Sequence, residues 1–341
     1  MDQDSILKIN DLRTYFKIDE QKVVKAVDGV SFEVPKGKTL GIVGESGSGK
    51  SITALSILQL LDEPGEIVGG EILFNGENLI TKSIPEMRRI RGNQISMIFQ
   101  EPMTSLNPVH TVGSQISETI DIHQKLSRAD SKKKTIELLE LVGIPSPEKR
   151  IKQYPFELSG GMRQRVMIAI ALASNPELLI ADEPTTALDV TIQAQILELI
   201  KELQDQLGMS VMLITHDLGV VAETCDYVAV MYAGKVVEYS DVETLFENPK
   251  HPYTVGLLNS LPRHDIKQEE LTPIEGMVPS PFEMPVGCRF APRCPYSTDL
   301  CMEKLPSLLE LNKDQEVRCW IYTDEWDGEK EVRVSDSLNL A

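Results

Sequence analysis

Gly44-Glu45-Ser46-Gly47-Ser48-Gly49-Lys50-Ser51 follows the spacing G-x-x-x-x-G-K-[ST]. Glycines at those intervals let the backbone turn tightly enough for successive N–H groups to aim at phosphate oxygens. A helix starting at the end of such a loop adds partial positive charge. Lys50 would reach the β- and γ-phosphates of a nucleotide, and the Ser51 hydroxyl would hold Mg²⁺. Gly44, Ser46, Gly47, Ser48, Gly49, Lys50, Ser51 and Ile52 are therefore the candidate contacts to a nucleoside triphosphate. A second chemical feature lies about 130 residues on, where the apolar run Leu178-Leu179-Ile180-Ala181 ends in Asp182-Glu183. In a phosphoryl-transfer site the first carboxylate would enter the Mg²⁺ shell, and the second would polarise the attacking water. A third is Leu158-Ser159-Gly160-Gly161, where a hydroxyl, two glycines and a helix N-terminus make another anion site.

The elements that must position these groups follow from hydrophobic periodicity. Leu40-Gly41-Ile42-Val43 reads as a buried strand ahead of the loop. Ile52, Leu55, Leu58 and Leu61 recur every three residues behind it, as on one helix face. Strands are predicted at 71–76, 95–99, 178–181, 211–214 and 227–231. An amphipathic helix is predicted at 191–207, with Gly208 as its stop. Ser159 caps a long apolar helix running through Val166, Ile168, Ala169, Ile170 and Leu172. β-rich runs alternate with helical patterns up to about residue 260, which indicates α/β architecture. Ten of the 20 prolines then lie between Pro249 and Pro306, a stretch that excludes long helices and central strands. The reading gives residues 1–262 as one domain, 263–323 as a small irregular Pro/Cys-rich C-terminal domain, and 324–341 as an acidic, partly disordered tail. No internal repeat is present, so one nucleotide-binding unit is expected.

An apolar content of 41% over 341 residues is enough for a proper core. A net charge of −18 argues against a non-specific nucleic-acid binder, which needs a basic surface. No run of 18 apolar residues appears, and the acidic N-terminus lacks a signal-peptide core. The expectation is a cytoplasmic location, with any membrane role carried through a partner.

Leu158-Ser159-Gly160-Gly161-Met162-Arg163-Gln164 resembles the Leu-Ser-Gly-Gly-x-x-Gln signature of ABC-type ATPases, and it precedes the carboxylate strand in that family's order. The resemblance implies a P-loop NTPase fold of the ABC type with a helical subdomain. It also implies further roles. Gln100 matches the Q-loop glutamine, a contact to Mg²⁺ (with Ser51 and Asp182) and to water. Ala187-Leu188-Asp189 resembles the D-loop, which crosses a dimer interface. His216 matches the switch histidine at the γ-phosphate, and Glu183 with His216 would form the catalytic pair. Tyr15 and Phe16 both fall where an aromatic ring stacks on adenine, and Phe16 is favoured because it lies four residues after Leu12. In this family, ATP on Gly44–Ser51 of one subunit is covered by Ser159–Gly161 of a second, identical or similar.

Cys288, Cys294, Cys301 and Cys319 are separated by 5, 6 and 17 residues. A reducing compartment disfavours disulfides. The spacing lacks the close pair usual for structural zinc and suits an iron–sulfur cluster better, but by itself leaves metal and free thiols open. Cys225 reads as a small buried residue. His251-Pro252-Tyr253-Thr254, Gly256-Leu257-Leu258, Ser260-Leu261-Pro262 and the stretch from Gly287 to Pro295 resemble the C-terminal hallmark of peptide/nickel-class ABC transporter ATPases, most closely dipeptide and oligopeptide members. Some of these carry a [4Fe–4S] cluster at such cysteines, and Zn²⁺ is the alternative. The resemblance implies an ATP-driven peptide importer subunit, peripheral on the cytoplasmic face of the plasma membrane. Its partners would be two permease subunits, docked near Gln100 to Glu118, a second ATPase subunit and an extracytoplasmic binding protein. A nickel or glutathione importer, or a non-transport regulatory ABC ATPase, are the other readings.

Overall fold

A computed structural model describes residues 5–20, 22–100, 105–186, 188–260 and 273–329. Contacts divide the chain into two units. One comprises Met1–Ile6, Val34–Thr39 and Thr81–Ile214, and the other Leu7–Glu33, Leu40–Ile80 and Thr215–Ala341.

The first unit is built on parallel strands Ile95–Ile98, Leu178–Asp182 and Ser210–Ile214, with Ile98 opposite Ala181 and Asp182 opposite Ile214. Every residue of the latter two strands is buried. Their unbroken apolar sequence is what a parallel strand covered on both faces requires. Among the described residues the longer helices of this unit are Val112–Gln124, Arg128–Leu141, Gly160–Ala171 and Val190–Leu207. Each begins on a side-chain cap, where Thr111, Ser127, Ser159 and Asp189 accept from the N–H of Ser114, Asp130, Met162 and Ile192. Such a cap contributes about 1 kcal/mol. Val190–Leu207 buries Ile196, Leu199, Ile200 and Leu203 on one face and ends on Gly208 at φ 66°, the stop its sequence predicts.

The second unit carries an antiparallel sheet in the order Val23–Pro35, Ser5–Lys17, Gly65–Phe74, Glu77–Asn78. The predicted strand at 71–76 stops earlier, at Phe74. Asn75 and Gly76 both take positive φ, 48° and 82°, and form a two-residue hairpin turn into Glu77. The strand Thr39–Val43 lies parallel to Tyr227–Tyr232, with Leu40 opposite Tyr227 and Val43 opposite Val230. Lys235–Asp241 then pairs antiparallel with Tyr227–Tyr232, and Gln315–Val317 and Leu309–Asn312 extend the ladder beyond it.

The helix after the glycine loop is shorter than its periodicity implied. It spans Lys50–Ile57, and Leu61 lies outside it. Gln59 adopts φ 49°, and the N–H groups of Gln59 and Leu60 donate to the carbonyls of Ser56 and Leu55. This is a Schellman stop that satisfies the last carbonyls of the helix. Among the described residues the Pro-rich region holds only short helices, Pro252–Asn259, the 3-10 turn Ala291–Arg293 and Asp299–Glu303. The boundary placed at Leu261-Pro262 and the tail from 330 onward lie outside the described residues. Cys225 is half-buried rather than buried, and its sulfur packs against Gly41. Among the described residues no helix is long and apolar enough to cross a membrane.

Candidate functional site

The glycine loop departs from the buried strand Thr39–Val43 with a conformation its sequence dictates. Gly44 takes φ 153°, and a Cβ there would stand 2.1 Å from the Met231 carbonyl oxygen. Gly49 takes φ 99°, and a Cβ there would stand 2.5 Å from the Ala26 carbonyl oxygen. Both contacts are with backbone, so neither position accepts a side chain without moving the loop. Lys50, the first residue of the helix, is buried, and its Nζ donates to the carbonyl oxygens of Gly44 at 2.7 Å and Glu45 at 3.1 Å. The carbonyl of Ser48 accepts from the N–H of Gly234 at 2.9 Å, while the Ser48 hydroxyl is buried with no hydrogen-bond partner. A buried orphan hydroxyl, a lysine folded over the loop and a helix N-terminus without a side-chain cap suit an anionic ligand. Thr14 Oγ1 pairs with Ser56 Oγ at 2.8 Å and so ties the Ser5–Lys17 strand to this helix.

The two aromatic candidates on that strand have different surroundings. The Tyr15 hydroxyl donates to Asp28 Oδ1 at 2.6 Å, and Lys25 Nζ lies 5.6 Å from its ring. Burial, then the bond to Asp28, raises the Tyr15 phenol to about 12. Phe16 alternates to the face shared with Thr14, and its ring edge occupies the space beside Gly65. In the same unit His216 is exposed, directly after Thr215, whose N–H donates to the Ile42 carbonyl at 3.2 Å. Asp217 caps the next helix, Leu218–Thr224.

The other unit gathers the carboxylates and the serine–glycine turn. Asp182 ends its strand buried. Glu183 follows at φ 46°, a left-handed conformation that costs energy in any non-glycine residue. Its N–H donates to the Ile214 carbonyl at 2.9 Å. Its Oε2 accepts from Gln100 Nε2 at 3.0 Å and from Thr186 Oγ1 at 2.9 Å. The carboxylate is thereby fixed in direction by two donors and a strained backbone. Ser159 caps Gly160–Ala171 at 3.4 Å, and Gly161 lies so close to Ile192 that a Cβ would meet its Cγ2 at 3.0 Å. Asp189 caps the helix to which Ile192 belongs, with Oδ1 3.0 Å from the Ile192 N–H. Of the predicted D-loop, Ala187 lies outside the described residues, as do residues 101–104 of the proposed docking segment. A groove of about 970 Å³ opens over Val112–Gln124 and Arg128–Leu141 in this unit, with Glu118, Asp121, Arg128 and Lys132 among its walls.

The C-terminal cysteines are free thiols, and all four line one pocket together with His251 and Trp320. The Cys288 N–H donates to the Cys301 carbonyl at 2.7 Å. Burial pushes the Cys294 thiol up to about 12 and raises Cys288 and Cys319 as well. Without a cation these thiols hold their protons. Among the described residues no group of three or more His, Cys, Asp or Glu side chains is arranged to hold a metal ion. His251 is a structural residue. Its N–H donates to Glu238 at 2.8 Å, its Nδ1 accepts from the Tyr253 N–H, and burial lowers it to about 3, so it is neutral.

Several residues that brace the loop carried no sequence signal. Asp28 receives Tyr15, Lys235 at 3.2 Å and Arg289. Burial alone would raise its carboxyl, but these three partners hold it below its ordinary value. Arg289 also donates to the Ala233 carbonyl, beside the Gly234 that contacts the glycine loop. Arg293 reaches Glu45 within the loop itself. The only hint of either arginine was its place between the cysteines.

Residues 27–186 match the ABC transporter family, and residues 237–301 match the oligopeptide/dipeptide transporter C-terminal region. The chain is 57% identical over 319 residues to a probable peptide ABC transporter ATP-binding protein of Sinorhizobium fredii, covering 93% of this chain and 95% of that one. It is 52% identical over 322 residues to an oligopeptide transport ATP-binding protein of Bacillus subtilis, covering 94% and 98%. It is 49% identical over 315 residues to a dipeptide transport ATP-binding protein of Escherichia coli, covering 92% and 96%. Among solved structures it resembles an ATP-binding cassette captured as a dimer with ADP and Pi, at TM-score 0.62 and 27% identity, covering 69% of this chain and 98% of that one.

Proposed function

The chain belongs to the ABC transporter family, and from that premise we propose that it is the ATP-hydrolysing subunit of an importer that drives dipeptides or oligopeptides across the plasma membrane. The observation that carries this reading is Glu183, a carboxylate at a strand end whose direction is set by Gln100, Thr186 and its own left-handed backbone. A strained, doubly anchored carboxylate suits a general base better than a solvated turn.

The roles follow residue by residue. Backbone N–H groups of Gly44 and of Ser46 to Ile52 bind the phosphates, while the Glu45 N–H is held by Tyr253. Lys50 exchanges the Gly44 and Glu45 carbonyls for phosphate oxygens. Phe16 stacks on adenine, since the Tyr15 ring is committed to Asp28 and Lys25. Ser51, Gln100 and Asp182 would hold Mg²⁺, which would neutralise phosphate charge. Glu183 accepts a proton from the attacking water, and His216 donates to the γ-phosphate. Ser159–Gly161 and Asp189 act on a second ATPase subunit, so hydrolysis requires a pair of cassettes.

The chain would lie on the cytoplasmic face beneath two permease subunits, docked through the segment from Gln100 to about Glu118, whose residues His110 to Glu118 border the groove over Val112–Gln124 and Arg128–Leu141. An extracytoplasmic binding protein would deliver substrate. The test is ATP turnover in proteoliposomes containing the partner permease subunits, with the binding protein supplied. Di- or oligopeptide should raise the rate several-fold. Stimulation by nickel or glutathione alone would reassign the cargo, and no stimulation by any of them would sink the importer reading.

Cys288, Cys294, Cys301 and Cys319 would supply the donors of a [4Fe–4S] cluster, with a single Zn²⁺ as the alternative. A cluster takes one thiolate per iron, so its ligands surround a volume rather than converge on a point. Four free thiols around one pocket fit the first demand better than the second. Binding would release the protons that burial now keeps on Cys288, Cys294 and Cys319. Protein purified without oxygen should be brown, with broad visible absorption and about four irons per chain. Colourless protein with one zinc per chain would assign the site to zinc.

A further inference from the structure

Glu45 is an acidic residue inside a loop built to receive phosphate, and all its polar groups are held. Its N–H donates to the Tyr253 hydroxyl at 2.9 Å, and its carbonyl accepts from Lys50 at 3.1 Å. Its carboxylate meets Arg293 in a two-pronged pair, with Nη1 2.7 Å from Oε2 and Nη2 3.3 Å from Oε1. The Arg293 side chain is only 3% exposed, and its remaining donors are also used. Nη1 reaches the Tyr232 hydroxyl, Nη2 the Ile274 carbonyl and Nε the Glu275 carbonyl. Five N–H groups with five acceptors in a fixed fork is a geometry lysine cannot reproduce. The guanidinium also lies 5.8 Å from the Tyr232 ring and 5.9 Å from the Phe290 ring, which pack on Tyr253. Arg293, Tyr253 and Phe290 all belong to the C-terminal part of the chain, and Arg293 directly precedes Cys294.

We propose that Arg293 is a positioning residue for ATP binding: it pins and neutralises Glu45, so that the phosphate loop presents no unbalanced negative charge to the incoming triphosphate. A carboxylate released from this pair would repel phosphate at short range, where charge interactions are strongest. It would also free a side chain beside the N–H groups that must point at the ligand. The inference rests on the ATP-binding reading above. It adds that the C-terminal region sets nucleotide affinity through a single guanidinium.

The test compares KM for ATP and kcat in the wild type, Arg293→Ala, and Arg293→Ala combined with Glu45→Gln. Arg293→Ala should raise KM about tenfold with kcat within about twofold, because the catalytic carboxylate is untouched. Adding Glu45→Gln should bring KM back to within about threefold of wild type, since it removes the exposed charge. A purely structural arginine would predict no such rescue. If Arg293→Ala fails to fold, Arg293→Gln keeps hydrogen-bond donors without the charge and should show the same rise and the same rescue. An unchanged KM in a folded variant, or a raised KM that Glu45→Gln does not restore, overturns the proposal. Wild-type protein that binds no ATP would instead overturn the ATP-binding reading beneath it.

Discussion

Glu183→Gln is expected to lower ATP turnover by about 10²- to 10⁴-fold, the range a positioned general base supplies, while ATP binding stays within a few-fold of wild type. The substitution preserves shape and leaves an oxygen to accept from Gln100 and Thr186, the two donors that orient the carboxylate. What disappears is the capacity to take a proton. The backbone at φ 46° is equally strained for Glu and Gln, so the fold should be unaffected. Steady-state phosphate release together with equilibrium binding of a fluorescent nucleotide separates the two effects. Equal turnover in wild type and variant would remove Glu183 from the mechanism.

Lys50→Ala should give the opposite pattern, with ATP binding weakened by about 100-fold or more. Removing one member of a buried charge pair costs on the order of 3 kcal/mol, and each 1.4 kcal/mol is a factor of ten in affinity. In the free protein the Lys50 ammonium is held by the Gly44 and Glu45 carbonyls, which it exchanges for phosphate oxygens on binding. Truncation deletes that attractive charge. Titration calorimetry reads the affinity directly, and a variant that binds ATP as tightly as wild type would refute the assigned role.

The site was legible where chemistry and periodicity coincide within a short window. The loop from Gly44 to Ser51 needs glycines, and both Gly44 and Gly49 prove to have backbone where a Cβ would be. The apolar run into Asp182-Glu183 proves to be a covered strand, and Gly208 stops its helix where the sequence placed it. Strand and helix ends were less legible. The periodicity through Leu61 continued past a stop that depends on Gln59 accepting a left-handed conformation. The strand into Asn75-Gly76 continued past a turn. Least legible were contacts spanning the sequence. Glu45 and Arg293 are 248 residues apart, and Asp28 and Arg289 are 261 apart. No local pattern marks such partners, since an arginine between cysteines looks the same whether it faces solvent or a loop. Tyr15 was ambiguous for a related reason: its hydroxyl has a partner 13 residues away that composition does not reveal.

The ladder formed by Lys235–Asp241, Gln315–Val317 and Leu309–Asn312 has a practical consequence for anyone seeking a minimal catalytic fragment. Chains cut near residue 262 would strip Lys235–Asp241 of its neighbour and leave a run of bare amide and carbonyl groups, a template for pairing between molecules. Glu238, fully buried between Gln315 and the N–H groups of Lys250 and His251, would open to water at the same time. Such truncations should come out of cells in the insoluble fraction, whereas chains ending after Trp326 should stay in solution.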